Sequence, residues 1–196
     1  MSGRITIASI VEGYGEVTAL PVLLRRIMQE CGIWDARIPE PHRIPRGKLI
    51  AAGGVENAVL QASRQVTGLG GILVLFDADD DCPADYGPAL LKRAQAVRSD
   101  KAMSVVLANR EFEGWFLAAA ASLAGHRGLA DPLPPPSNPE GIRDAKGWLT
   151  HHKIDGSPYK ETIDQAPLAA VFDMAQARKH AASFDKFWRD VERLIR

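Results

Sequence analysis

The sequence predicts an α/β fold: a mainly parallel sheet with helices on both faces, followed by a helical C-terminal extension. Three observations predict it. Short apolar runs rich in β-branched residues alternate with segments whose apolar residues recur at helical spacing. The runs Ile5–Val11, Ile72–Phe76 and Met103–Ala108 have the nearly continuous apolar character of strands buried on both faces. Beyond residue 124 no clear strand pattern remains.

Ile5–Val11 reads as the first buried strand and breaks at Glu12-Gly13-Tyr14-Gly15. A helix follows over Glu16–Cys31, with Leu20, Leu23, Leu24 and Ile27 on one face and Arg25 and Arg26 on the other; Gly32 ends it. Between residues 33 and 54, Trp34–Ile44 predicts at most an edge strand, because Pro39, Pro41 and Pro45 cannot supply ladder donors. Arg43, Arg46 and Lys48 form a small basic run, either a solvated loop or a loop that contacts phosphate. Gly54–Val66 predicts a second helix through Val55, Val59 and Ala62. Glycines at 68, 70 and 71 precede the strand Ile72–Phe76. Pro83–Val97 predicts a turn and helix, Met103–Ala108 a strand, and Glu111–Leu123 a helix. The proline-rich run Asp131–Pro139 marks a linker. The expected organisation is an α/β domain over 1–124, a linker over 125–142, and an extension over 143–196 packed on the first domain. Within that extension, Gln165–His180 and Ala182–Ile195 read as helices.

Bulk properties exclude several classes. With 24 Lys+Arg against 24 Asp+Glu the net charge is +0, so a basic nucleic-acid footprint is absent overall and only a local patch remains open. A hydrophobic fraction of 46% excludes disorder over most of the length. Cys31 and Cys82 form no CxxC motif and read as reduced thiols. Met1–Ile5 leads straight into a strand without a signal-peptide pattern. No apolar stretch reaches the ~20 residues that span a bilayer, so a cytoplasmic protein without membrane contact is expected.

The chemistry gathers at strand ends. Asp77, Asp79, Asp80 and Asp81 follow the second apolar run; Glu12 and Glu16 follow the first; Asn109, Arg110, Glu111 and Glu113 follow the third. In a parallel sheet these three sets share the carboxyl edge, where α/β sites form. Aspartates two apart on an extended segment suit a hard, oxygen-ligated cation, Mg²⁺ or Mn²⁺. Zinc lacks support, since His151-His152 is an isolated pair. An EF-hand starting at Asp77 would place Cys82 and Pro88 where Gly and Glu belong. No GxxxxGK[ST] loop is present, and Gly13-Tyr14-Gly15 lacks the third glycine of a dinucleotide fingerprint.

Val11-Glu12-Gly13-x-x-Glu16 and Phe76-Asp77-Ala78-Asp79, in this order, resemble the TOPRIM domain of primases, topoisomerases and OLD-type nucleases. Asn109-x-x-Phe112-Glu113-x-Trp115 is similar to the RloB-like branch. The whole chain looks closest to a small bacterial family with VEGxxE, DADDDCP and NREFEGWF motifs and an SFDKFWR-like C-terminal segment. The TOPRIM resemblance covers about residues 4–117. It implies a Rossmann-like sheet and a Mg²⁺ (or Mn²⁺) site formed by Glu12, Asp77 and Asp79, with Asp81 as an outer member. Glu12 or Glu16 would be the general base, and Glu113 is drawn toward the site. Asn109, Arg110, Lys146, Lys160 and Arg178 are the candidate substrate-phosphate contacts. The implied function is Mg²⁺-dependent phosphoryl transfer, nuclease-like hydrolysis of a phosphodiester in bacterial defence or DNA processing. Nucleic acid is the implied partner, with an ATPase as a candidate partner protein. The chain carries neither an ATPase domain nor a topoisomerase tyrosine module. A non-catalytic sensor or adaptor subunit, or a phosphohydrolase of small phosphates, is the alternative.

Overall fold

Strand β1 (Ile5–Val11) runs through the interior of a parallel sheet. The short β2 (Ala36–Arg37) and β3 (His42–Arg43) pair with one side of it, and β4 (Gly70–Asp77) with the other. Strand β5 (Ala102–Ala108) lies beyond β4. The computed structural model describes residues 4–196; Met1–Gly3, where the first domain and the leaderless N-terminus were expected to begin, lie outside the described residues.

The continuous apolar runs resolve into two faces once the period of two is applied. Ile7, Val11, Leu73, Leu75, Val106 and Ala108 face one core. Ala8, Ile10, Ile72, Val74, Phe76, Val105 and Leu107 face the other. Both faces are covered, which is why the strands are mostly apolar, with only the small Thr6, Ser9 and Ser104 buried among them. The fold is therefore α/β and Rossmann-like.

Helix α1 (Tyr14–Glu30) lays Ala19, Leu20, Leu23, Leu24 and Ile27 on the first core. The short α2 (Arg46–Ile50), α3 (Gly54–Ser63) and α4 (Pro83–Val97) cover the second. After β5 the chain returns to the first face. Here α5 (Gly114–Ala118) is much shorter than the helix expected over Glu111–Leu123, and Ala120–Leu123 tightens into a 3-10 turn. Helix α6 (Ala145–His151) arises where no helix was expected; Asp144 caps it by accepting the Gly147 N–H. The helix expected over Gln165–His180 is divided. A π-turn at Glu161–Gln165 leads into α7 (Ala166–Val171), Phe172 turns extended, and Asp173 caps α8 (Met174–His180) by accepting from Ala175 and Gln176. Helix α9 (Ala182–Leu194) ends the fold.

The proline-rich stretch is packed, with Leu129 and Leu133 buried in the first core. Glu140 accepts the Ala182 and Ser183 N–H groups at 3.0 and 3.1 Å, satisfying the start of α9. Trp115 joins the extension to the sheet. Its ring stacks on Phe187 at 5.1 Å and meets Phe184 edge-on at 5.1 Å, and its Nε1 donates to Ser183 Oγ at 2.8 Å. Among the described residues no helix is long and apolar enough to cross a membrane.

Candidate functional site

Parallel register brings the strand ends together. Val11 pairs with Leu75 on one side and Arg43 on the other, and Asp77 pairs with Ala108. Glu12, Asp77 and Asn109 thus leave the sheet at the same edge, and α1 begins there with Glu16 in its first turn.

Four carboxylates form the inner part of the site. Asp77 is half-buried, and its Oδ1 accepts the Phe112 N–H at 2.8 Å. Burial, then the nearby Glu113 and Glu16 charges, push its carboxyl well above the usual range. Glu113 is fully buried, and its Oε1 accepts from Tyr159 Oη at 2.9 Å and Gln165 Nε2 at 3.1 Å. Burial pushes it up to about 7, against the pull of Lys146 and the Tyr159 hydrogen bond. Glu16 is raised by burial, with Glu161 adding to it. Glu12 is raised by burial and then by the charges of Asp79 and Glu16. One oxygen of each glutamate (Glu12 Oε2, Glu16 Oε2 and Glu113 Oε2) is shut off from solvent with no hydrogen-bond partner among the described residues.

Lys146 enters this cluster from α6. Its Nζ donates to Glu161 Oε2 at 2.9 Å. Burial alone would lower its pKa; Glu113, Glu161 and Asp77 overturn that and hold the ammonium above its ordinary value. Glu111 accepts the N–H groups of Ala145 and Lys146 at 3.2 and 3.4 Å and so fixes the start of the helix that carries the lysine. Gly15 permits the close approach, since a Cβ there would lie 2.2 Å from Gln165 Oε1.

The outer part of the acidic run turns away. After β4 the Ala78 N–H still bonds to Ala108 O, but Asp79 adopts a left-handed φ of 52° and its N–H bonds to Arg110 O. This turn sends the next carboxylates outward, where arginines meet them. Arg46 Nε lies 3.6 Å from Asp79, and its Nη2 donates to Asp81. Asp80 accepts from Arg110 at 3.2 Å and Arg143 at 2.6 Å. Of the expected grouping, Glu12 lies within reach of the Asp77 N–H and of the Asp79 charge, Asp77 also stands with Glu16, Glu113 and Lys146, and Asp79 and Asp81 pair with Arg46.

The remaining expected contacts separate. Asn109 is tied by its backbone N–H to Ser183 Oγ at 3.1 Å and faces the groove between α4 and α9. Arg110 stays at the rim through Asp80. Lys160 lines a different cavity of about 420 Å³, with Arg127 and Lys153. Arg178 pairs with Asp185 at 3.0 Å and stacks on Trp188 at 4.6 Å. It is also within electrostatic reach of Cys31, beyond the far end of a 17-residue helix about 25 Å long. Arg178 therefore serves helix packing and not the carboxylate cluster. Tyr159, Gln165, Glu161 and Arg143 join the site without a sequence motif announcing them, because tertiary packing alone brings them in.

The donor chemistry fits a hard divalent cation. Buried carboxylate oxygens without partners are costly, and oxygen ligands are what Mg²⁺ and Mn²⁺ prefer. As the side chains stand, no three His, Cys, Asp or Glu among the described residues form a group able to hold a metal ion. A family model described as Domain of unknown function (DUF4276) matches residues 11–192. No curated protein and no solved structure matches the chain.

Proposed function

We propose that this chain, which belongs to the DUF4276 family, is a TOPRIM-like, divalent-metal-dependent phosphoryl-transfer enzyme that hydrolyses a phosphodiester. One observation carries the reading: Glu12, Glu16, Asp77 and Glu113, delivered by three strand ends to one sheet edge, have raised carboxyl pKa values, and each of the three glutamates keeps an unpartnered inner oxygen.

In this reading Glu12, Glu16 and Asp77 hold Mg²⁺ or Mn²⁺. The bound cation would neutralise charge on the phosphoryl oxygens and lower the pKa of the attacking water. Glu113, with a pKa of about 7, holds or releases a proton near neutrality, and Tyr159 and Gln165 keep its Oε1 fixed. Lys146 binds a phosphate oxygen at the inner wall. Arg46, Arg110 and Arg143 take flanking phosphates at the rim in exchange for their aspartate partners, which makes binding salt-dependent. A cytoplasmic setting in bacterial defence or DNA processing, with an ATPase partner, accompanies this reading.

Lys146 also favours a second reading. An ammonium inside the carboxylate cluster supplies a built-in cation, which suits a sensor or adaptor subunit that binds without cleaving. The two separate in a cleavage assay on plasmid, single-stranded DNA and RNA with Mg²⁺ or Mn²⁺. The enzyme reading expects metal-dependent cleavage that Asp77→Asn abolishes. Absence of cleavage on every nucleic acid, with either metal, removes the nuclease reading.

A further inference from the structure

We infer that Tyr14, Arg43 and the cavity beside them form a stacking subsite for an unpaired nucleobase, so that the site takes single-stranded nucleic acid. The inference rests on the phosphodiester reading above and specifies its substrate.

Tyr14 opens α1, two residues after Glu12, and is 62% exposed. Arg43 ends β3 in register with Val11, so it also stands at the carboxyl edge. Its guanidinium lies 3.7 Å from the centre of the Tyr14 ring. A tyrosine recruited for packing would bury its ring. Here one face is backed by a cation and most of the residue is left to solvent, the arrangement of a stacking platform.

The adjoining cavity, about 470 Å³, is lined by Tyr14, Pro41, His42, Arg43 and Gln65 among others. His42 Nε2, Arg43 Nε and Gln65 Oε1 are shielded from solvent and have no hydrogen-bond partner among the described residues. Polar side chains with unspent hydrogen-bonding capacity line the cavity beside an exposed aromatic face, the combination that suits the edge and face of a base. Glu40 brings a negative charge to the same lining, which disfavours a phosphate there and leaves a neutral base as the better fit. Arg46, three residues beyond Arg43, stands at the rim beside Asp79 and Asp81 and would meet an adjoining backbone phosphate. A paired base cannot present its face to Tyr14 or its edge to His42 and Gln65, and this selects unpaired strands.

The test is fluorescence anisotropy with a labelled single-stranded DNA of about 12 nucleotides. It is run in EDTA and again with Ca²⁺, so that binding is read apart from cleavage. Tyr14→Ala is expected to weaken binding about tenfold, Tyr14→Phe to keep it, and a blunt duplex of the same sequence to bind less well than the single strand. A free mononucleotide is expected to bind weakly. Equal affinity of Tyr14→Ala and wild type, a preference for the duplex, or no single-strand binding in either condition overturns the inference. Cleavage that Asp77→Asn abolishes and Tyr14→Ala leaves unchanged, with unchanged affinity, keeps the proposed chemistry and removes the subsite. Tyr14-dependent binding without Mg²⁺- or Mn²⁺-dependent cleavage keeps the subsite and removes the chemistry.

Discussion

The Tyr159 hydroxyl donates to Glu113 Oε1 at 2.9 Å, inside a site where Glu113 is fully shut off from solvent. The bond ties the C-terminal extension to the third strand end across 46 positions of sequence. It makes the extension part of the site and not an appendage. Replacing Tyr159 with Phe leaves Gln165 as the remaining side-chain donor to that oxygen. The expected loss is about 1–3 kcal/mol of stability, greater at alkaline than at acid pH because the hydroxyl favours the charged carboxylate. Urea denaturation at both pH values measures it. An unchanged midpoint at alkaline pH would mean that the bond is not formed.

The carboxylate cluster fixes the sign of the pH dependence. Glu113 sits at about 7 in the folded chain against an ordinary 4.5, so the folded state binds this proton more tightly than the unfolded state does. Its stabilising contribution is complete below 4.5 and is lost as pH rises through about 7. Asp77, Glu12 and Glu16 are raised as well and act in the same direction. Melting temperature in EDTA should therefore fall between about pH 5 and pH 8. Glu113→Gln should flatten the fall, and Mg²⁺ or Mn²⁺ should restore stability at the alkaline end by binding the folded state alone. A melting temperature that rises across this window would contradict the cluster as described.

The aromatic joint is a separate prediction, independent of chemistry. Trp115 is fully buried and touches Phe112, Phe184 and Phe187 with ring centroids 4.7, 5.1 and 5.1 Å away. Trp115→Ala should cost about 3–5 kcal/mol, through lost burial and the cavity it leaves. It also strips Ser183 Oγ of its indole donor. Chemical denaturation reads the cost directly; a loss under about 1 kcal/mol would show that the extension does not depend on this contact.

The strands and the three polar strand ends are legible in the sequence because period and β-branching are local properties. Asp77, Glu12 and Glu16 follow from that placement. The pairing of Asp79 and Asp81 does not, because it depends on a left-handed turn at Asp79 and on Arg46, which opens α2. Arg178 misleads for a related reason: its charge is visible in sequence, but its partners Asp185 and Trp188 are set by the α8–α9 packing. Tyr159 and Gln165 carry no motif, and α6 is short enough that its cap at Asp144 is its main local signal.

Lys146 gives the sharpest test of what the cluster is for. Its ammonium, paired with Glu161, stands among carboxylates that would otherwise repel one another. Lys146→Met removes that charge but keeps much of the side chain's volume. Mn²⁺ should then bind several-fold more tightly in calorimetry, since metal and lysine compete for the same negative field. Glu113 should titrate higher still, because Lys146 now holds it down. If Lys146 binds a substrate phosphate, the variant also raises KM and lowers kcat despite the tighter metal, and Lys146→Arg restores part of both. If the lysine is instead the built-in cation of a binding subunit, the gain in metal affinity appears with no cleavage in either protein. Unchanged Mn²⁺ affinity in Lys146→Met would separate the lysine from the metal altogether and leave Glu161 as its main partner.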